Sequence, residues 1–151
     1  PAAARRAARF KLMFGPAIDD AELARIYHEE CDNVGFKHGY VINPNEPSLT
    51  LLSHDPERAW QEVGHFLLYD ATAYQQWQHP SRRAYAESTQ STVEGLRKEG
   101  KYRILTPQQA AEVIRSKGVI NFSPLCGGVP IDFAWQSLEL YADEVVPFLK
   151  D

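Results

Sequence analysis

The sequence predicts an α/β fold in which short parallel strands alternate with helices. Three observations carry it. Helix starts and stops are written plainly in capping residues, prolines and glycines. The strands between them are short unbroken apolar runs. Strand followed by helix recurs three times along the 151 residues. Unbroken apolar runs mark strands covered on both faces, and repeated strand–helix order means a parallel sheet.

In chain order, Pro1 to Arg9 is Ala/Arg-rich and reads as a helix with no preceding cap or strand. Lys11-Leu12-Met13-Phe14 reads as a strand stopped by Gly15-Pro16. Asp19 with Glu22 resembles a capping box, and Leu23, Ile26, Tyr27 and Cys31 form the apolar stripe behind it. Ser48 to Leu52 reads as a strand. Asp55-Pro56-Glu57 then supplies an N-cap, a proline at the first helical position and an acid in the first turn, ahead of Ala59, Trp60, Val63 and Leu67 on one face.

Between Tyr69 and Gly100 the chain is polar with scattered aromatics and Pro80, and reads as a partly helical excursion, spanning about residues 70–100. Tyr102 to Leu105 is a less apolar strand. Thr106-Pro107-Gln108-Gln109 is a capping box carrying the same proline, followed by Ala110, Val113 and Ile114 and stopped by Gly118. Val119 to Phe122 reads as a strand. The last helix opens at Pro130 and carries Ile131, Ala134, Trp135, Leu138, Tyr141, Val145 and Phe148 at helical spacing, ending near Pro147. Trp60 and Trp135, on apolar helical faces, are read as core.

Composition excludes several classes. Hydrophobic residues at 44% and charged residues at 24% are ordinary for a globular protein, which excludes a disordered tail, a collagen-like fibre and a coiled-coil rod. No apolar run approaches the roughly 18–20 residues of a membrane helix, and the N-terminal stretch lacks the apolar segment of a secretory signal. A net charge of -4 and a pI near 5.7 oppose a nucleic-acid footprint, and Arg5-Arg6 and Arg82-Arg83 are too short for a phosphate track. Cys31 and Cys126, far apart, read as reduced thiols, so a cytoplasmic location is expected. The sequon beginning at Asn121 lies in an apolar run read as buried and is discounted.

Length sets a limit on closure. An eight-stranded parallel barrel takes about 250 residues, and about 200 at the least. Three or four βα units cannot close such a barrel alone. The chain is therefore expected to be either a small open α/β domain or a piece of something larger, and a first segment that reads as the inside of a helix favours the piece.

Four stretches carry a family likeness. Ser123-Pro124-Leu125-Cys126-Gly127-Gly128-Val129-Pro130, continuing through Ile131-Asp132-Phe133-Ala134-Trp135-Gln136-Ser137-Leu138-Glu139-Leu140 to Val145-Val146-Pro147, resembles the C-terminal end of luciferase-like flavin-dependent oxidoreductases. The opening Pro1–Arg9 resembles the helix that follows a glycine-rich strand end in that family. His54-Asp55-Pro56-Glu57-Arg58-Ala59-Trp60 resembles its Asp-Pro-x-x-Ala-Trp strand-to-helix step, and Tyr102 to Pro107 resembles the turn before its penultimate helix.

The resemblance implies the C-terminal three to four βα units of a (β/α)8 TIM barrel, incomplete on its own, in a single partial domain over residues 1–151. In the family the barrel binds FMN or a deazaflavin at the C-terminal ends of its strands. The N-terminal strands, which supply most flavin and phosphate contacts, have no counterpart in this stretch of sequence.

Candidate sites follow, each with a plainer reading beside it. Ser123 and Cys126-Gly127-Gly128 lie between a strand and a helix, where backbone N–H groups can face an anion, and are the candidate cofactor-binding residues. The plainer reading is a tight turn that needs glycine's backbone freedom. Cys126 has no evident His or Asp partner in sequence that would make it a nucleophile. Tyr74, Trp77 and His79 in the excursion, with Arg103 beside it, are the candidate substrate-binding residues, hanging as a lid over a barrel mouth. The plainer reading is that they pack the excursion against the barrel rim, and that Arg103 is a surface ion-pair partner.

His28, His38, His54, His65 and His79 form no metal pattern, and the hydrolase, Walker and dinucleotide motifs are absent. Glu29-Glu30 reads as solvated.

The function expected from the resemblance is part of a flavin-dependent monooxygenase or oxidoreductase, contributing the last strands and lid of the flavin and substrate pocket. Its partners would be flavin, a small organic substrate, and a second copy or a longer chain, with neither nucleic acid nor membrane. The alternative is a non-catalytic truncated homologue that completes a barrel by oligomerisation. A third reading, Pro1 as a catalytic secondary amine as in tautomerases, is disfavoured because those begin with a strand.

Overall fold

The structure, a computed structural model, describes residues 1–16, 19–43, 49–76 and 88–149. The fold is mixed α/β, mostly helical, with two short parallel strands. The chain divides into two compact units, Pro1–Glu46 and Pro47–Asp151.

In the first unit, α1 (Ala2–Arg9) packs on α2 (Ala21–Asn33). Ala4 and Ala8 on α1 are small enough to let the helices approach, and Ile26, Tyr27 and Cys31 meet them from α2. The α2 cap is Asp20, one residue beyond the Asp19 expected; its carboxylate accepts from the Glu22 and Leu23 amides. Tyr27 is buried and satisfied at both ends of its hydroxyl, donating to the Leu12 carbonyl at 2.8 Å and accepting from the Tyr40 amide at 3.2 Å. Burial, then the neighbouring Cys31, pushes its phenol up to about 12.

Arg9 donates to Glu30 at 2.6 Å, joining the two helices. Glu30, expected to be solvated, has its side chain only 13% exposed and held below the usual carboxylate range by the Arg9 guanidinium. The expected strand at Lys11–Phe14 reduces to one parallel bridge, Phe14 to Val41. Lys11 has φ +54°, which breaks the extended run before it starts.

In the second unit, β1 (Leu49–Leu52) pairs in parallel with β2 (Tyr102–Leu105), Leu49 opposite Tyr102 and Leu52 opposite Leu105. Helix α3 (Pro56–Gln76) connects them together with α4 (Val93–Glu99). The α3 stripe of Ala59, Trp60, Val63, Leu67 and Ala71 covers one face of the pair, against Leu49, Leu51, Tyr102 and Ile104. The opposite face, carrying Leu52 and Leu105, is covered by Ala110 and Ala111 of α5 (Pro107–Lys117) and by Val145 from the C-terminal helices. Both faces are thus buried, as unbroken apolar strands require.

The starts and stops of α5 match the sequence reading, with the Thr106–Gln109 capping box formed in full and Gly118 left-handed at φ +77°. Val119–Phe122, expected as a strand, makes only a bridge from Phe122 to Thr50, with the Thr50 amide donating to Asn121 at 2.8 Å. Gly118 before it and Pro124 after it leave too few residues to extend the pairing.

Of the 70–100 excursion, residues 70–76 are the end of α3 and Val93–Glu99 form α4, capped by Thr92 and stopped by left-handed Gly100. Residues 77–87, with Trp77 and His79, lie outside the described residues.

The last helical stretch runs as α6 (Ile131–Leu140), a π-helical turn (Tyr141–Val145) and α7 (Val146–Phe148). The core reading of Trp135 is corrected here: it is 60% exposed, as is Ile131 at 64%. The apolar stripe in the sequence is wider than the face the helix buries. Ala134 and Ser137 point inward, and Ile131 and Trp135 fall on the outer side.

Ser137 explains itself. It is fully buried, and its hydroxyl accepts from the Leu52 amide at 2.7 Å, satisfying the last donor of β1. Ser137→Ala is expected to lose about 1–3 kcal/mol by leaving that amide unpaired, lowering the thermal midpoint by several degrees in circular dichroism. An unchanged midpoint would show that Leu52 finds another acceptor.

Candidate functional site

Two polar places are built into the second unit. The first is a cleft of about 600 Å³. Its floor is the end of β1, Leu52, and the turn that follows, Ser53-His54-Asp55. That turn is stiff: the Ser53 amide donates to Leu105 at 3.0 Å, the Asp55 amide donates to the Ser53 hydroxyl at 3.1 Å, and the Asp55 carboxylate caps α3 by accepting from Arg58 at 3.0 Å. Arg58 and Glu62 on α3 form one wall; Phe133, Gln136 and Glu139 on α6 and Asp143 and Glu144 on the π-helical turn form the other. His54 Nε2 meets Glu144 Oε1 at 3.1 Å across it.

This is the position outside the carboxyl end of a parallel strand where open and closed α/β sheets bind ligands. The π-helical turn, with its one extra residue per turn, re-aims Asp143 and Glu144 out of the register that α6 would otherwise set.

The second place lies where α3 has run back to the first residue of β2. Tyr102, fully buried, donates its hydroxyl to Asp70 Oδ2 at 2.8 Å. The Cys126 thiol, 7% exposed, lies close enough to feel the same carboxylate's charge. Burial first, then Asp70, pushes both the Tyr102 phenol and the Cys126 thiol well above their ordinary values, so both stay neutral at physiological pH. Tyr74, one turn beyond Asp70 on α3, adds its own charge interaction to Tyr102.

Set against the sequence candidates, the structure brings Cys126 and Tyr74 into this second place, around Asp70. The Cys126–Gly128 turn is a 3-10 turn whose amides serve itself: Cys126 donates to Ser123, Gly128 to Leu125 and Val129 to Cys126. Gly127 is left-handed at φ +59°, and a Cβ there would stand 2.0 Å from the Phe66 carbonyl oxygen. The glycine is needed because the turn lies directly on the α3 backbone. Arg103 sits on the opposite strand face from Tyr102, its Nε donating to the buried Thr50 hydroxyl at 2.9 Å. Ser123 is exposed at the mouth of the turn. None of these described candidates lines the cleft.

Sequence reasoning passed over His54, although a residue directly after a strand in a parallel βα unit is the position to suspect. It passed over Asp70 for a better reason: a single acid on a helix carries no signal until its partners, on β2 and in a distant turn, are known.

Among the described residues, no group of three His, Cys, Asp or Glu side chains is placed to hold a metal ion. No helix among them is long and apolar enough to cross a membrane. Compared with protein-family models, with curated proteins and with solved structures, the chain finds no match.

Gly127→Ala is expected to cost the left-handed conformation, about 1–2 kcal/mol, and the displacement of the turn from α3 besides. Gly118→Ala, also left-handed but in open space, is expected to cost the conformational part only. Chemical denaturation of the two variants separates them; equal losses would show that the turn can lift off α3 freely.

Proposed function

We propose that the chain forms the closing part of a luciferase-like flavin-dependent oxidoreductase barrel and supplies the substrate side of its pocket. Four motifs in family order support the reading, and so do parallel strands covered on both faces. The observation that carries it is the cleft at the carboxyl end of β1, formed by the same His54–Trp60 step that bears the resemblance.

The described residues do not fit the flavin's phosphate. The Cys126, Gly128 and Val129 amides are spent within their own turn, and the approach at Gly127 is filled by α3. The cleft sets Asp55, Glu62, Glu139, Asp143 and Glu144 against Arg58 and His54, an environment that repels a dianion. On this reading the phosphate belongs to other strands of the barrel. This chain positions and screens the substrate beside the flavin ring, with Phe133, Leu52 and Leu140 as the apolar surface and Gln136 as a neutral hydrogen-bonding group.

A second reading, a non-catalytic homologue that completes a barrel by association, is favoured by the exposed Leu125, Ile131 and Trp135.

Mixing the chain with FMN or a deazaflavin, desalting it and recording the flavin absorbance bands tests both. The expected outcome is loss of the bands from this chain alone and their retention by a polypeptide in which further βα units precede it. A longer polypeptide that also emerges colourless would sink the flavin reading. Retention by this chain alone would overturn the assignment of the phosphate elsewhere. A colourless dimer in size-exclusion chromatography would favour the second reading.

A further inference from the structure

We infer that the chain associates with a second copy of itself head to tail, the apolar end of α1, with Phe10, Leu12 and Met13, seating on the outer face of α6 at Ile131 and Trp135.

Charge and exposure pair these two surfaces. From Pro1 to Pro16 the sequence carries Arg5, Arg6, Arg9 and Lys11 and no acid. From Pro130 to Leu149 it carries Asp132, Glu139, Asp143 and Glu144 and no Lys or Arg. Each stretch also holds large apolar side chains that remain in water. Phe10, Leu12 and Met13 on one, and Ile131 and Trp135 on the other, are all more than half exposed. Neighbouring exposed apolar groups with a charged rim mark an interaction surface.

Their placement makes each group a surface rather than a scatter. Ala4 and Ala8 face α2, so helical spacing turns Arg6 and Arg9 to the opposite side, beside Phe10. Arg9 is engaged by Glu30, while Arg6 and Lys11, both exposed, flank the apolar end. On α6, Ile131 and Trp135 stand four residues apart on the outer side, and the exposed Asp132 and Glu139 border them.

The signs select the occupant. Two copies of the α6 face set against each other would bring carboxylate to carboxylate, and two copies of the α1 end would bring cation to cation, so neither surface suits symmetric pairing with itself. The α1 end answers the α6 face in both charge and apolar character, and every molecule carries both at equal concentration. Trp135, large and flat at the centre of its patch, is the kind of side chain that anchors an interface. The contact rests on the same exposed Ile131 and Trp135 that favour association under the second reading above. It is read by mass and not by colour, so its failure leaves the flavin test untouched.

The test is sedimentation velocity on the full chain at protein concentrations rising to about 1 mM, in about 0.05 M and about 0.5 M salt. The expected result is a mass above the monomer that grows with concentration and falls back at high salt. Phe10→Ser and Trp135→Ser should each weaken association by at least about tenfold, with circular dichroism unchanged because both side chains lie in water. The charge-reversed pairs Arg6→Glu with Lys11→Glu, and Asp132→Lys with Glu139→Lys, should each stay monomeric alone. Mixed together, they should assemble, since each then meets its complement. A wild-type chain that is monomeric throughout overturns the proposal. So does association indifferent to Phe10→Ser or Trp135→Ser, or folded charge-reversed variants that associate alone or fail to assemble on mixing.

Discussion

The second unit depends on one packing event, the laying of the α3 stripe across the β1–β2 pair. Two parallel strands of four residues cannot stand alone in water, since even a hairpin of that size is marginal. Each Leu or Val side chain taken fully from water contributes about 1.5–3 kcal/mol. Val63, Leu67, Leu49 and Leu51 are all close to fully buried in this one contact, with Trp60 and Tyr102 beside them. The strands are therefore as long as the helix and its counterpart α5 can cover.

That packing also decides where polar chemistry can lie. Helix α3 leaves the carboxyl end of β1 with Asp55 as its cap and runs back to Tyr102 at the start of β2. Its first two turns therefore open onto the cleft, through Arg58 and Glu62. Its later turns meet the other end of the pair, where Asp70 stands three residues after buried Leu67 and beside buried Ala71. An acid at the margin of an apolar stripe is costly unless donors reach it. The Tyr102 hydroxyl is such a donor, so one cleft and one closed polar cluster occupy opposite ends of the same helix.

The helix punctuation was legible because it acts locally. Asp55-Pro56, Thr106-Pro107-Gln108-Gln109 and Gly118 fix backbone amides within a turn of themselves, and each did so. The strands were less legible because pairing is not local. Tyr102–Leu105 looked the poorest run and forms a full strand, since α3 and Thr50 supply its partners. Val119–Phe122 looked better and makes one bridge. Trp135 misled for the same reason: helical spacing marks an apolar stripe, but which edge of it faces inward is set by neighbours far along the chain. The cleft was half-written, in the βα step that names its floor; its other wall, from α6 and the π-helical turn, was not.

Charge argues most directly about how any flavin would sit. Two like charges 4 Å apart near a protein surface repel by about 4 kcal/mol at an effective dielectric of about 20. The cleft presents several carboxylates to a single guanidinium and one histidine that already faces Glu144. A phosphate dianion entering it would meet that repulsion more than once, with Arg58 offsetting only part. A neutral isoalloxazine ring or a substrate bearing a hydroxyl or an amine meets no such barrier. On the proposed function, the sign of this lining therefore separates the two halves of the cofactor: the ring would approach this chain, and the phosphate would be anchored by other strands of the barrel.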